Sequence, residues 1–261
     1  MLSFVVDTGA ERSGVAIEIA DRFGFKRGAP RQVISFAGEQ MVPTARLSSL
    51  SFARSNRIDV EALLFARSSI GADGFLGLDS LDNKRIDFDF IKKKMSIRHS
   101  PKSGQHSIEN AVVLKAKKRR GRMIFADAEI NHLRAAVVLD TGSSLTMGNA
   151  ALRDRLRGKG RLGKTIKVLL RTVTGEIVKA DYGILREVMV GDVKIRRLPI
   201  AFGVVQPFEQ LGLSNRPAVL LGMDALQAFA RVTVDFRDRS ALFVARDDQR
   251  GSTSMFYKRL K

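Results

Sequence analysis

The sequence predicts an all-β chain folded as two similar lobes, and three observations carry that prediction. The tripeptide Asp-Thr-Gly occurs twice, in "FVVDTGAERSG" from Phe4 and in "VVLDTGSSLTM" from Val137, each time at the end of an apolar run. Each copy is followed by an alternating strand pair around a glycine, "QVISFAGEQMVPTARL" in the first half and "VLLRTVTGEIVKADYGIL" in the second. Each half then reaches a Leu-Gly element, "GFLGLDSLDNKRIDFDF" or "AVLLGMDALQAFARVTVDF". These last stretches align with one inserted residue. Leu76-Gly77 matches Leu221-Gly222, Asp79 matches Asp224, Leu81 matches Leu226, and Asp89-Phe90 matches Asp235-Phe236.

Taken in order, the elements repeat. A β-branched run ending in Asp7 or Asp140 reads as a buried strand. The alternating stretches read as hairpins with tips near Gly38 and Gly175. Leu-Gly opens a short helix, which Asp79 or Asp224 is expected to cap. Two lobes result, residues 1–98 and 110–261, joined by a Pro-, Gly- and Lys-containing linker at 99–109. The second lobe has an extra strand pair before Asp140, turning at Asn131-His132. The first lobe has only six residues before Asp7, so the strand expected beside "SFVVD" is missing. Two explanations stay open: the protein starts upstream of Met1, or another segment, such as the tail "STSMFYKRLK", takes the strand's place.

Composition narrows the function. With 44% hydrophobic residues in 261, the chain can bury a substantial core. It has no cysteine and three scattered histidines, His99, His106 and His132, so a thiolate or zinc motif has nothing to form from, and neither a metal nor another cofactor is expected. No apolar run reaches the roughly 20 residues of a membrane-spanning helix, and the start lacks the pattern of an export signal. As written, the chain reads as soluble and cytoplasmic, or as an envelope or periplasmic protein if a signal lies upstream. The net charge of +18 is unusual and favours polyanionic partners. Its densest run, Lys115 to Arg122, reads as a solvated basic loop open to non-specific polyanion contact.

Together, the paired Asp-Thr-Gly motifs, the glycine-tipped hairpins and the Leu-Gly helices resemble the retropepsin-like and pepsin-like aspartic proteases. The closer likeness is to bacterial retroviral-type aspartic protease domains, here with two lobes fused in one chain. The resemblance implies an acid-protease fold with a pseudo-twofold axis, a monomer built as a pseudodimer, and endopeptidase activity on a peptide or protein substrate. The chemistry explains why the motif comes twice. Metal-free hydrolysis of a peptide needs an activated water and a polarised carbonyl, and two carboxyls sharing one proton supply base and acid together. Asp7 and Asp140 are therefore the expected catalytic pair.

By the same resemblance Thr8 and Thr141 reach across the lobe interface to the partner loop. Gly9 and Gly142 let backbone N–H groups approach the carboxylates, and Ser143 is placed to donate to Asp140. Phe36, Gly38, Thr174 and Gly175 mark the two candidate flaps, Phe36 either filling a substrate pocket or packing on its own sheet. Tyr182 lies too far down its hairpin to serve as a flap tyrosine. Two rival functions remain: a catalytically idle peptide- or partner-binding module of the same fold, and a basic polyanion-binding protein.

Overall fold

The computed structural model describes residues 1–36, 38–101, 111–119, 122–191, 193–203, 206–246 and 256–258. Among these, strands dominate, and they form three sheets. The first sheet runs β1 (Phe4–Val6), β6 (Gly74–Leu76), β2 (Gly14–Ala16), β5 (Ser55–Phe65), β4 (Gly38–Phe52), β3 (Lys26–Ser35). The second runs β10 (Lys117–Arg119), β11 (Arg122–Ile130), β12 (Leu133–Leu139), β17 (Ala218–Leu221), β13 (Met147–Gly148), β16 (Val193–Phe202), β15 (Ile177–Val190), β14 (Ile166–Arg171).

From β12 to β14 the second sheet repeats the strand order of the first. This shared order begins in both sheets with a parallel pair, β1 with β6 and β12 with β17. In both, a short strand, β2 or β13, lies antiparallel to one neighbour and parallel to the next. The expected all-β, two-lobed fold is therefore the one the chain adopts.

A third sheet joins the lobes in the order β8 (Lys94–His99), β7 (Lys84–Asp89), β18 (Arg231–Asp235), β19 (Ser240–Val244), β9 (Ala111–Lys115). Its central pairing sets β7 of the first lobe antiparallel to β18 of the second, with Asp87 opposite Thr233 and Asp89 opposite Arg231. Alternation along each strand sends Ile86, Phe88, Val232 and Val234 to one face. There they join a single apolar cluster with Val6, Leu139 and Leu221, beneath both Asp-bearing strands. Burying each such side chain contributes about 1.5–3 kcal/mol, so the same cluster that stabilises the fold also holds the lobes together.

Several local expectations can be compared with the structure. The turn at Asn131-His132 is present: Ile130 pairs with Leu133, and the two turn residues have φ of 45° and 61°, as a tight two-residue hairpin requires. Its Asn131 side chain accepts the Glu187 N–H (2.9 Å) and donates to the Arg161 carbonyl (2.7 Å), which fixes the left-handed turn in place. Within the described residues, most of the Lys115–Arg122 run is in strands and not in a loop. Lys115 ends β9 and is ion-paired to Asp238 at 2.7 Å, and Lys117–Arg119 form β10, paired antiparallel to β11, while residues 120 and 121 lie outside the described residues.

Within the described residues, β1 forms one edge of its sheet, whereas its counterpart β12 is flanked by β11. The tail does not fill that edge, because β20 (Phe256–Lys258) pairs with β16 in the second lobe. What secures the region just before β1 is Ser3, whose N–H and hydroxyl both donate to Asp73 Oδ2, at 2.8 and 3.0 Å. Of the linker, residues 102–109 lie outside the described residues, as does residue 110 of the second lobe. Upstream of them β8 continues through His99, and the Ser100 hydroxyl lies 2.8 Å from both carboxylate oxygens of the fully buried Asp235.

The basic stretch after Asn149 forms helix α4 (Ala150–Gly158), capped by the Asn149 side chain, which accepts the Leu152 N–H. Its Arg153 and Arg157, with Lys167, surround Asp181 at 3.2, 3.7 and 2.7 Å. The Lys167 hydrogen bond, working against partial burial and helped by the arginine charges, holds the Asp181 carboxyl below its usual range. A depressed folded pKa adds stability that is present above the unfolded carboxyl value of about 3.9 and is lost as pH falls through the folded value. Asp181→Asn should therefore lower the melting temperature at pH 7, with the gap to wild type closing below about pH 4. A gap that is constant from pH 7 to pH 3 would contradict this role.

Candidate active site

Both Asp-Thr-Gly motifs lie where the parallel strand pairs end, and the backbone there is the same in the two lobes. The Asp7 N–H donates to the Leu76 carbonyl at 2.9 Å, and the Asp140 N–H donates to the Leu221 carbonyl at 3.0 Å. The chain then turns, and backbone N–H groups fold back onto the carboxylates. Gly9 and Ala10 donate to Asp7 Oδ1 at 2.8 and 2.9 Å, and Gly142 donates to Asp140 Oδ1 at 3.0 Å. Asp140 is buried and Asp7 half-buried.

The two loops face each other. A Cβ built on Gly9 would lie 2.5 Å from Asp140 Oδ1, and one built on Gly142 would lie 2.2 Å from Asp7 Cγ. No side chain fits at either position without moving the opposite carboxyl, so glycine is what allows two carboxylates from different lobes to approach. The threonines tie the loops together through four buried hydrogen bonds. Thr8 Oγ1 donates to the Leu139 carbonyl (2.9 Å) and accepts the Thr141 N–H (3.1 Å). Reciprocally, Thr141 Oγ1 donates to the Val6 carbonyl (2.6 Å) and accepts the Thr8 N–H (3.1 Å).

Three sequence expectations need correction. The Ser143 hydroxyl donates to the Leu145 carbonyl at 2.7 Å, not to Asp140. Asp79 and Asp224 are in the first turns of their short helices, α3 (Leu78–Leu81) and α6 (Met223–Leu226), but the N-cap positions are Gly77 and Gly222, and neither helix has a side-chain cap. These carboxylates instead hold the loops that follow the Asp-Thr-Gly motifs. Asp79 Oδ1 accepts from the N–H (2.9 Å) and hydroxyl (2.7 Å) of Ser13. Asp224 accepts from the N–H (3.0 Å) and hydroxyl (2.7 Å) of Thr146.

The hydroxyls of Ser13 and Thr146 accept in turn from the Gly77 and Gly222 N–H groups, at 3.0 and 3.2 Å. Sequence reasoning missed this support. Its signal was a hydroxyl residue six positions after each catalytic-candidate Asp, matched to an Asp two positions after each Leu-Gly glycine.

The hairpins place the remaining candidates. Ser35 pairs with Gly38, which has φ of 132°, so the first turn comes just before Gly38, with Ala37 outside the described residues. The second turn closes from Thr172 to Glu176, with Gly175 at φ 89°. The two tips meet across the lobes: Thr174 Oγ1 lies 3.5 Å from Ser35 Oγ and 2.8 Å from Thr172 Oγ1. Phe36 packs against the second lobe's apolar cluster, as do Leu145, Val168, Leu170 and Tyr182. Tyr182 pairs with Ile166 and Ala201, well down the hairpin, as its spacing implied. Among the described residues, no group of His, Cys, Asp or Glu is arranged to hold a metal ion, and no helix is long and apolar enough to cross a membrane.

The fold and the paired loops are those of an acid protease. A family model described as "Aspartyl protease" matches residues 1–80 and 126–225, covering both motifs and both Leu-Gly elements, and the chain belongs to that family. Among solved structures, a retropepsin-like aspartic protease from Rickettsia conorii is similar at 19% identity and a TM-score of 0.35, over 51% of this chain and 88% of that one. No curated protein matches the chain.

The crossed threonines lead to a stability prediction. Thr141→Val keeps the shape but strands the buried Val6 carbonyl and Thr8 N–H, at about 1–3 kcal/mol for each stranded group. Chemical denaturation should show that loss, and a change below about 0.5 kcal/mol would mean that the hydroxyl is dispensable.

Proposed function

We propose that the protein is an aspartic endopeptidase in which Asp7 and Asp140 activate a water molecule for attack on the carbonyl of an extended peptide. The observation that carries this reading is the mutual seating of the two Asp-Thr-Gly loops, each glycine lying against the opposite carboxyl. Two carboxyls held this close cannot both ionise easily, so the pair retains a proton over a broad range. One carboxylate takes a proton from the water as it attacks, and the other carboxylic acid donates to the carbonyl oxygen, giving a tetrahedral diol. As that intermediate collapses, the carboxylic acid protonates the departing amine while the carboxylate takes a proton from a diol hydroxyl, which regenerates the shared-proton pair.

Each supporting residue has a role in this scheme. The N–H groups of Gly9, Ala10 and Gly142 hold the carboxylates in orientation, and Thr8 and Thr141 keep the two loops in register. Phe36, Gly38, Thr174 and Gly175 belong to flaps that close over the substrate and exclude water, the peptide lying as an added strand beneath them. The lobes at 1–98 and 110–261 act as one monomeric unit, so neither is competent alone.

The test is cleavage of a proteome-derived peptide library from acidic to neutral pH. Replacing Asp7 or Asp140 by Asn should lower kcat at least about 100-fold, the lower end of a general acid–base contribution. Melting temperature and peptide binding should change little. Substantial cleavage by either variant would refute the pair, and wild-type binding without any cleavage would point to an idle binding module.

A further inference from the structure

The face of the interlobe sheet turned away from the core carries a groove that the protease reading does not use. Ile86 and Phe88 of β7 point into the core, so alternation sends Arg85, Asp87 and Asp89 to the opposite side. Beside them lie Lys94, Ser96 and Arg98 of β8, paired to Asp89, Asp87 and Arg85, and Arg231 of β18, paired to Asp89. With Lys92 and Met95 these residues line a cavity of about 440 Å³. Five cations face two carboxylates there, a net charge of +3.

The two carboxylates are taken up in holding the cations. Asp87 accepts from Arg98 Nη2 (2.5 Å), Arg85 Nε (3.4 Å) and the Thr233 hydroxyl (2.7 Å), and Asp89 accepts from Arg231 Nη2 (3.1 Å) and the Lys92 N–H (2.8 Å). Burial opposes ionisation of Asp87, but the hydrogen bonds from Arg98 and Thr233 and the Arg85 charge outweigh it, leaving its pKa below the usual range. The Lys92 N–H, with Arg231, does the same for Asp89. Both acids therefore stay charged at neutral pH and fix the guanidiniums in place. Arg98 and Arg231 each spend one donor on an Asp, leaving further N–H groups of the planar fork for a ligand. The ammonium groups of Lys92 and Lys94 have no ion-pair partner among the described residues.

We propose that this groove binds a small oligophosphate anion, one carrying at least two phosphate groups, across the lobe boundary. Guanidinium forks match phosphate oxygens in pairs, and the ammonium groups add unpaired positive charge. The volume is within the roughly 300–1,000 Å³ typical of small-molecule sites, which favours a compact anion over an extended polymer lying on the surface. Arg231 comes from the second lobe and the other four cations from the first, so a bound anion bridges the lobes and adds stability by mass action.

Tripolyphosphate is the probe. Isothermal titration of the full chain at fixed ionic strength should give saturable binding of one anion per chain, and the melting temperature should rise with the anion but not with matched chloride. Lys94→Gln combined with Arg98→Gln should weaken binding at least tenfold, while Lys159→Gln combined with Lys164→Gln, an equal charge loss elsewhere, should leave it within twofold. If the first pair melts lower without anion, Lys92→Gln combined with Lys94→Gln removes only unpaired ammonium groups and should show the same loss. Equal weakening in the control pair, several anions per chain without saturation, or an oligonucleotide competing more tightly than tripolyphosphate would overturn the proposal. The titration reads binding alone, so its outcome is independent of whether the peptidase assignment holds.

Discussion

Four crossed hydrogen bonds made by Thr8 and Thr141 are the constraint on which the rest of the architecture depends. Each hydroxyl donates to a carbonyl of the other lobe and accepts an N–H from the other loop, so neither loop completes its hydrogen bonding alone. Buried polar groups without partners are costly. The lobes are thus tied at the point where the two carboxylates meet, and glycine at positions 9 and 142 lets them come that close. Below, the parallel pairs β1–β6 and β12–β17 deliver the loops to the interface, and Ser13–Asp79 and Thr146–Asp224 clamp the chain as it leaves. The interlobe sheet closes the arrangement from beneath, with one apolar cluster running under both Asp-bearing strands.

Much of this was legible in the sequence because the two halves could be read against each other. The alignment of Leu76-Gly77 with Leu221-Gly222, and of Asp89-Phe90 with Asp235-Phe236, fits the repeated strand order of the two lobes, whereas the pairing of β7 with β18 across them is a tertiary contact that a repeat alignment does not reveal. Asn131-His132 was readable as a turn because a two-residue hairpin needs left-handed residues, a conformation Asn tolerates. What was misread depended on partners distant in the chain. A carboxylate in a first helical turn looks like a cap, and nothing local to Asp79 shows that Ser13, 66 positions earlier, supplies its donors. Ser143 was misread for a different reason: a hydroxyl in a tight turn finds a carbonyl two residues on more readily than a neighbouring carboxylate. The cross-lobe position of Phe36 follows from the lobes' packing, which periodicity does not encode.

Charge divides the surface by role. Among the described residues, cations cluster around Asp181, along α4, and on the outer face of the interlobe sheet.

The most direct test of the central claim is a crystal structure with a peptide whose scissile carbonyl is replaced by a hydroxyl-bearing tetrahedral carbon. The account predicts that the hydroxyl sits between Asp7 and Asp140, within hydrogen-bonding distance of both, beneath the hairpin tips at Ser35 and Thr174. A peptide bound elsewhere, or a hydroxyl contacting only one of the two carboxyls, would contradict it.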